Sequence, residues 1–401
     1  MGARRGLGGA LLAAVLVTGV TSGTANADAG SRQDLWQAMV ALTEAGVGGV
    51  QLRIHDDQGD WTGSAGFREL SGGKVPTDGR FRAGSITKTF VSTVVLQLVD
   101  EGEVALDDPI AEYLPEYGFD QRITVRMLLQ HTSGLFNYTG EVNADGSYEP
   151  GIPLAGQDYV DNQFRRYTPE ELIAVSLAKP ARFEPGTNWS YSNTGYIVLG
   201  QLVERVTGTP YATQVKRRIL GPLGLRETVL PGDRTGIPGP HAHGYFAYRD
   251  GGDLEVADVT RINPSWASSA GEIISTTRDL DRFITALLGG RLLPADLLSE
   301  MTTPSEYNPY GLGLGLLDAG PTCGGVYFGH TGGLPGYLSF MYATADRGTR
   351  LEFSVTLGEA DLEDPAVFER IQAAYGDMLT TAICDSPPAN GTPLRSQLAA
   401  M

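Results

Sequence analysis

Between Ser85 and Gly102, apolar residues recur every three or four positions, which is the period of an α-helix. The recurring positions are Phe90, Val91, Val94, Val95, Leu98 and Val99. Gly84 precedes the serine and Gly102 follows the last apolar turn, and both are typical helix boundaries. The pattern therefore predicts a helix with Ser85 at its N-terminus.

The rest of the chain alternates between segments with the period of a strand and segments with the period of a helix. Strand-like patterns predict a hairpin from residues 50–54 and 61–67. Later strands are predicted from about Leu254 and at 271–275, 337–342 and 351–357. Helical patterns fall at 31–45, 123–131, 169–178, 196–207, 277–288 and 365–382. Residues 137–167 lack periodicity and predict a long loop of the kind that often rims a site.

This order of strands, helices and strands predicts two domains. Residues 28–84 and 250–384 would form an α/β domain from both ends of the chain, and residues 85–249 a helical domain inserted between them. We expect the active site in the cleft between the two domains.

The N-terminus predicts export. Residues 1–27 contain Arg4 and Arg5, an apolar run at residues 11–20 and the small-residue site Ala25-Asn26-Ala27. This is the pattern of a signal peptide cleaved after Ala27, and it is too short to span a membrane. No later run is long and apolar enough to cross a bilayer, so we expect a secreted protein. The polar tail, residues 385–401, is expected to be disordered.

Charge and cysteine content narrow the class further. The net charge of −17 disfavours nucleic acid and anionic membranes as partners. Two cysteines, Cys323 and Cys384, in an exported chain predict one disulfide, with a pair of free thiols as the alternative.

Ser85 and Lys88 are candidates for nucleophilic catalysis. Their spacing places them one turn apart on the same helix face, where the lysine amine can take the serine proton if burial lowers its pKa. The motif alone is not specific, because Lys74 and Lys179 also follow a serine by three residues. The structural alternative is a helix-capping serine with a surface lysine.

Two further constellations carry polar groups suited to a site. In an extended segment, Tyr191 and Asn193 project to the same side, so the first can relay a proton and the second can hold an amide. The glycines of residues 329–333 permit a substrate backbone to approach a sheet edge. Either stretch can also be an ordinary turn.

Three motifs in this order resemble the serine β-lactamase and penicillin-recognising family, in its class C-like branch of secreted DD-carboxypeptidases, D-aminopeptidases and esterases. The motifs are Ser85-Ile86-Thr87-Lys88, Tyr191-Ser192-Asn193 and His330-Thr331-Gly332. Residues 131–135 and 265–271 support the resemblance, which covers nearly the whole mature chain. It implies an α/β, β-lactamase/DD-peptidase-like fold with an antiparallel sheet, flanking helices and an inserted all-helical domain.

The resemblance also implies an acyl-enzyme mechanism. Ser85 would attack a carbonyl carbon, Lys88 and Tyr191 would share the general-base role, and Tyr191 would return the proton to the leaving group. Which of the two is the base stays open. Asn193 would bind the substrate amide, and the N–H groups of Ser85 and Gly333 would form the oxyanion hole.

Further substrate-binding residues follow from the same resemblance. These are His330, Thr331, Gly332, Gly333 and Trp266. His330 stands where β-lactamases of this branch carry a lysine, which is closer to the peptidases. No metal or cofactor is required, β-lactams are expected inhibitors, and a monomer acting on a small peptide or ester is expected.

Three other stretches are interpreted as structural. His131-Thr132-Ser133-Gly134 is expected to shape a wall of the helical domain, and His241-Ala242-His243 lacks the companions of a metal site. Residues 311–315 lack the strand-to-helix context of a nucleotide-binding loop and predict a strand instead.

One departure bears on specificity. DD-carboxypeptidases hold the terminal carboxylate with a hydroxyl residue after His-Thr-Gly and an arginine before it, whereas this chain has Gly333 and no arginine in residues 311–323. The prediction is an exported D-alanyl-D-alanine carboxypeptidase-like serine hydrolase. The alternatives are an esterase or D-aminopeptidase and a penicillin-binding sensor without turnover.

Overall fold

The computed structural model describes residues 27–143 and 146–384. The strands are β1 Val47–Asp56, β2 Gly59–Glu69, β3 Gly72–Lys74, β4 Phe81–Arg82, β5 Glu141–Val142, β6 Tyr148–Glu149, β7 Tyr245–Asp250, β8 Asp253–Asp258, β9 Ile274–Ser275, β10 Gly315–Asp318, β11 Val326–Leu334, β12 Tyr337–Thr344 and β13 Arg350–Leu357. Seven of them form one antiparallel sheet in the order β10-β11-β12-β13-β1-β2-β3. The sheet therefore joins strands from both ends of the chain, and the predicted antiparallel fold with flanking helices is confirmed.

Helices account for most of the remaining regular secondary structure. They are α1 Ala27–Glu44, α2 Ile86–Asp100, α3 Ile110–Tyr113, α4 Val125–Leu129, α5 Gly156–Asn162, α6 Pro169–Leu177, α7 Asn193–Thr207, α8 Tyr211–Val215, α9 Gly221–Leu223, α10 Ser268–Gly271, α11 Thr277–Leu288, α12 Ala295–Thr302 and α13 Pro365–Ile383. Short 3₁₀ turns lie at Pro115–Tyr117, Pro264–Trp266 and Pro321–Cys323, and a π-helical turn at Lys216–Leu220.

Both faces of the interior strand β12 are buried, because helices cover the sheet on each side. Phe340 and Tyr342 pack into a core with the terminal helices α1 and α13. Tyr337 and Met341 point the opposite way, into a larger core that contains α2 and α11. This alternation is the period of a strand. On the second face, α2 packs against the neighbouring strands β11 and β12.

Three predictions about local structure are wrong. Of residues 271–275, only Ile274–Ser275 form a strand, because Gly271 belongs to helix α10. Residues 311–314 are not a strand, because β10 begins only at Gly315 and the preceding residues turn back so that Gly311 N–H bonds to Leu314. Residues 137–167 are also not a structureless loop, since they contain the β5–β6 hairpin and helix α5. The hairpin β7–β8 was predicted only in its second strand.

The predicted disulfide is present. Cys323, at the end of the turn before β11, is bonded to Cys384, which directly follows α13. The bridge closes a loop with a sequence separation of 61 residues and ties the C-terminal helix to the sheet. A crosslink of this span reduces the conformational entropy of the unfolded chain and typically stabilises a protein by about 2–4 kcal/mol.

The predicted signal peptide and the predicted C-terminal tail lie outside the described residues, apart from Ala27 at the start of α1. Within the described ranges, no helix has both the length and the apolar character needed to cross a membrane. The division into two domains and the monomeric state stay predictions.

Candidate active site

Ser85 occupies the N-terminal end of α2, as predicted. Its backbone is already helical, with φ −63° and ψ −9°, and its side chain makes no capping hydrogen bond. Lys88 follows one turn later and is 0% exposed. The alternative of a capping serine beside a surface lysine is therefore wrong, and the serine oxygen is available for chemistry at the positive end of the helix dipole.

The Lys88 amine is fixed by three hydrogen bonds. Its Nζ lies 2.9 Å from Ser85 Oγ, 2.7 Å from Asn193 Oδ1 and 2.8 Å from the Ala270 carbonyl oxygen. No carboxylate is among these partners, and burial holds the pKa of Lys88 well below its usual value. A buried amine without a counter-ion favours the neutral form, which has a lone pair to accept a proton.

Glycines bring the edge of the sheet against the start of α2. Gly84 has a φ of +53°, and a β-carbon at this position would lie 2.7 Å from the Gly333 nitrogen. A β-carbon on Gly332 would lie 2.0 Å from the Ala83 carbonyl oxygen. Only residues without a β-carbon permit this approach, which sets the Gly333 backbone beside the residue that precedes Ser85.

Tyr191 packs beside both Ser85 and Lys88. Its ring centroid lies 4.8 Å from Lys88 Nζ. Burial raises the pKa of Tyr191, and a hydrogen-bonding interaction with the Ser85 side chain opposes that rise only in part. The phenol therefore keeps its proton at neutral pH.

Asn193 begins α7 and connects three parts of the site. Its Oδ1 accepts from Lys88, while its Nδ2 donates to Thr139 Oγ1 at 3.2 Å. Its backbone N–H donates to Asn137 Oδ1 at 3.1 Å. These bonds orient the Asn193 amide and attach the 137–139 segment to the helix that follows Tyr191.

His330 lies in β11 and is 4% exposed. Its Nε2 and the Tyr310 hydroxyl are 2.8 Å apart. Burial, helped by nearby Lys88, lowers the pKa of His330 to about 3, so the ring is neutral. The residue that stands in place of a lysine therefore brings no positive charge to the site.

A cavity of about 510 Å³ opens over these groups. Of the predicted residues, its lining includes Ser85, Tyr191, Asn193, His330, Thr331 and Gly333. Lys88 lies behind Ser85, and Gly332 is buried against Ala83. Trp266 does not line the cavity. The residue is 8% exposed and its side chain packs in the larger hydrophobic core. Its backbone carbonyl accepts a hydrogen bond from the Tyr138 hydroxyl.

Several residues of the cavity wall were not predicted from the sequence. Residues 137 and 139–142 and Ser190 also line the cavity. Among them Glu141 carries a buried carboxylate that accepts from the Asn137 N–H at 2.7 Å and pairs with Arg182. The only signal was the predicted rim of residues 137–167, which indicates a location and not a residue. The Ala270 carbonyl left no signal, because any residue supplies one.

Comparisons with known proteins agree with this geometry. A family model described as Beta-lactamase matches residues 33–373. Penicillin-binding protein 4* of Bacillus subtilis (strain 168) is 28% identical over 71% of this chain, and the match spans 62% of that relative. The chain spans less than two thirds of the length of this relative and of two other curated relatives that it matches.

Solved structures match over a larger share. A D-stereospecific amidohydrolase from Streptomyces sp. is 37% identical, with a TM-score of 0.75 over 88% of this chain and 99% of that one. The D-amino acid amidase from Ochrobactrum anthropi SV3 is 27% identical, with a TM-score of 0.71 over 88% of this chain and 98% of that one. The likeness thus covers nearly the whole length of both solved chains.

Proposed function

Because this chain belongs to the β-lactamase family, we propose that it is a serine hydrolase that forms an acyl-enzyme on Ser85 and cleaves amides or short peptides of D-amino acids that carry a free amino group. The observation that carries the proposal is the set of three hydrogen bonds on the buried Lys88 amine. The identity of the substrate rests on the charges of the cavity wall and on the solved relatives.

The partners of Lys88 support the role of base. Asn193 Oδ1 and the Ala270 carbonyl oxygen can only accept, so they take the two N–H groups of a neutral amine. The remaining lone pair then faces Ser85 Oγ, whose hydroxyl can donate to it. As Ser85 attacks the substrate carbonyl carbon, its proton passes to Lys88 and a tetrahedral intermediate forms.

Tyr191 fits the complementary role of acid. Its raised pKa keeps the phenol protonated, so it can donate to the leaving nitrogen when the intermediate collapses to the acyl-enzyme. The proton on Lys88 replaces the one that Tyr191 gives up. Water then hydrolyses the ester, which releases the acid and returns the hydrogen to Ser85.

The backbone N–H groups of Ser85 and Gly333 are the proposed oxyanion hole. Gly333 lines the cavity, and its nitrogen approaches Gly84, next to Ser85. Donors held there by the backbone need no reorganisation as charge develops on the carbonyl oxygen, and one such donor is typically worth about 3 kcal/mol of barrier.

The cavity wall favours an amine over a carboxylate. Among the described residues that line the cavity, Glu141 carries the one charged side chain, and there is no lysine or arginine. His330 also lines the cavity, but its ring is neutral. The Asn137 N–H, Arg182 and Ser190 use about three of the roughly four lone-pair positions of Glu141, so one is left for an ammonium group. A terminal carboxylate would find no cationic partner, which argues against the predicted carboxypeptidase specificity and favours the D-aminopeptidase alternative.

The solved relatives support the D configuration. They are named as a D-stereospecific amidohydrolase and a D-amino acid amidase, and both match this chain over nearly their full length.

Steady-state kinetics on matched substrates test this proposal. The set consists of a D-amino acid amide, its L enantiomer, its N-acetyl derivative and an N-acylated peptide ending in D-Ala-D-Ala, with Ser85→Ala as the background. We expect the highest kcat/KM for the D-amide with a free amine. Glu141→Gln should raise KM for that amide, whereas Glu184→Gln, at an exposed residue outside the cavity lining, should not. Preference for the D-Ala-D-Ala peptide would favour a carboxypeptidase, and acylation without turnover would favour a sensor.

A further inference from the structure

His131 holds the backbone on both sides of Tyr191. The His131 carbonyl oxygen accepts a hydrogen bond from the Ser190 N–H at 3.1 Å, and its ring Nδ1 accepts one from the Ser192 N–H at 3.2 Å. The two bonds leave the peptide of residues 190–192 little freedom to rotate. Tyr191, between them, must project from a fixed segment.

The ring of His131 also contacts the ring of Tyr191. Their centroids are 4.3 Å apart, with 39° between the planes. The ring of Tyr310 lies against His131 as well, with 4.9 Å between the ring centroids. His131 is only 1% exposed. Backbone and ring contacts from a single residue therefore fix both the origin and the direction of the Tyr191 side chain.

His131 has features that reduce stability, which is expected where function and not stability selects a residue. Its φ of 65° is uncommon for a residue other than glycine. Because Nδ1 accepts from the Ser192 N–H, a neutral ring carries its hydrogen on Nε2, and this buried nitrogen has no hydrogen-bond partner among the described residues. Burial, with Lys88 and His330 nearby, keeps the pKa of His131 well below its ordinary value, so Nδ1 stays free to accept.

We propose that His131 is the positioning residue for Tyr191, and that it sets the hydroxyl where it can protonate the leaving group. This inference rests on the proposed function, because it assigns a purpose to the acid in that mechanism. It also changes the interpretation of the 131–134 stretch, which the sequence analysis considered only as a wall.

The chain offers a graded set of variants. His131→Asn keeps an acceptor oxygen near the position of Nδ1 and tolerates positive φ, but it loses the ring. His131→Leu fills much of the space and loses the acceptor. Tyr191→Phe removes the acid itself. Circular dichroism and thermal unfolding establish that each variant is folded before its activity is interpreted.

The leaving group separates positioning from a merely structural role. Hydrolysis of an amide needs an acid to protonate the departing nitrogen. In a p-nitrophenyl ester of the same D-amino acid, the leaving group is p-nitrophenolate, which departs without protonation. If His131 places Tyr191, His131→Leu should lower kcat for the amide by about 10²-fold or more, the usual range for an acid catalyst, and change the ester much less. KM should change little for either substrate, and His131→Asn should recover part of the loss.

A double variant completes the test. If the two residues act as one unit, His131→Leu combined with Tyr191→Phe should be no slower on the amide than Tyr191→Phe alone. Equal losses on amide and ester, or losses that multiply in the double variant, would overturn the inference. If Tyr191→Phe itself leaves amide hydrolysis unchanged, the proposed mechanism has failed and not only the role of His131.

Discussion

Gly84 and Gly333 are in such close contact that a β-carbon on Gly84 would lie 2.7 Å from the Gly333 nitrogen. They are far apart in sequence and belong to different parts of the fold, the turn before α2 and the strand β11. Their contact sets the sheet edge against the helix terminus, where the N–H groups of Ser85 and Gly333 are the proposed oxyanion hole. The proposed catalytic geometry thus depends on two residues that have no side chain.

Substitution of Gly84 by alanine should damage catalysis through this contact. The added methyl group must displace the Gly333 amide, so kcat should fall by about 10²-fold or more, the cost of losing one oxyanion donor. Gly102→Ala is a matched control, because Gly102 ends the same helix with φ +75° and has no atom within 4 Å of an added β-carbon. It should lose about 1 kcal/mol of stability from backbone strain and keep its activity. Equal activity losses in the two variants would show that strain alone is responsible.

The pH dependence of kcat/KM should report Lys88. Only the neutral amine accepts the Ser85 proton, so activity should fall as the pH falls through the lysine pKa, which burial has lowered well below 10.5. Lys88→Arg, which stays protonated, should lose about 10³-fold or more, since arginine cannot act as a base. Lys216→Met, which removes an exposed lysine outside the cavity lining, should behave like the wild type. A wild-type profile that is flat across the acidic and neutral range would argue against a titrating base.

A second buried ionisable group should govern how stability depends on pH. Glu352 in β13 is 0% exposed, both of its carboxylate oxygens lack a hydrogen-bond partner among the described residues, and burial together with Asp281 raises its pKa well above 4.5. Between the unfolded and folded pKa values, the folded chain binds one proton more than the unfolded chain. This group therefore lowers stability by about 1.4 kcal/mol for each unit that the pH rises in that window.

Glu352→Gln removes this titration. Its stability relative to the wild type should increase with pH across the window and be smallest near pH 4, as measured by urea unfolding at a series of pH values. Glu359→Gln, at an exposed position close by in the chain, should show no such trend. A difference for Glu352→Gln that is constant with pH would contradict a protonated carboxyl in the folded state.

The sequence predicted the parts of the molecule that depend on periodicity or on side-chain identity. Periodicity or residue type within the single sequence predicted helix α2 with its serine, the paired strands β12 and β13, and the segment containing Tyr191. Trp266 shows the limit, because a residue near a motif can belong to the core and not to the cavity.

What the sequence did not reveal depends on the fold itself. The Ala270 carbonyl that binds Lys88 is a backbone group, and the hydrogen bonds of His131 to the neighbours of Tyr191 exist only when α4 ends beside that segment. Glu141 lies in a stretch without periodicity, where nothing indicates which side chain faces the cavity. Residues 311–314 resemble a strand in composition, but their backbone turns back on itself.

The most direct test of the central claim is intact-mass analysis after rapid acid quenching of the protein with an activated ester of a D-amino acid. We predict one added aminoacyl group, mapped by peptide analysis to Ser85, absent in Ser85→Ala and still present in Ser71→Ala, which alters the exposed serine of another Ser-x-x-Lys sequence. An acyl group on a different residue, or a folded Ser85→Ala variant that hydrolyses the ester as fast as the wild type, would contradict the account.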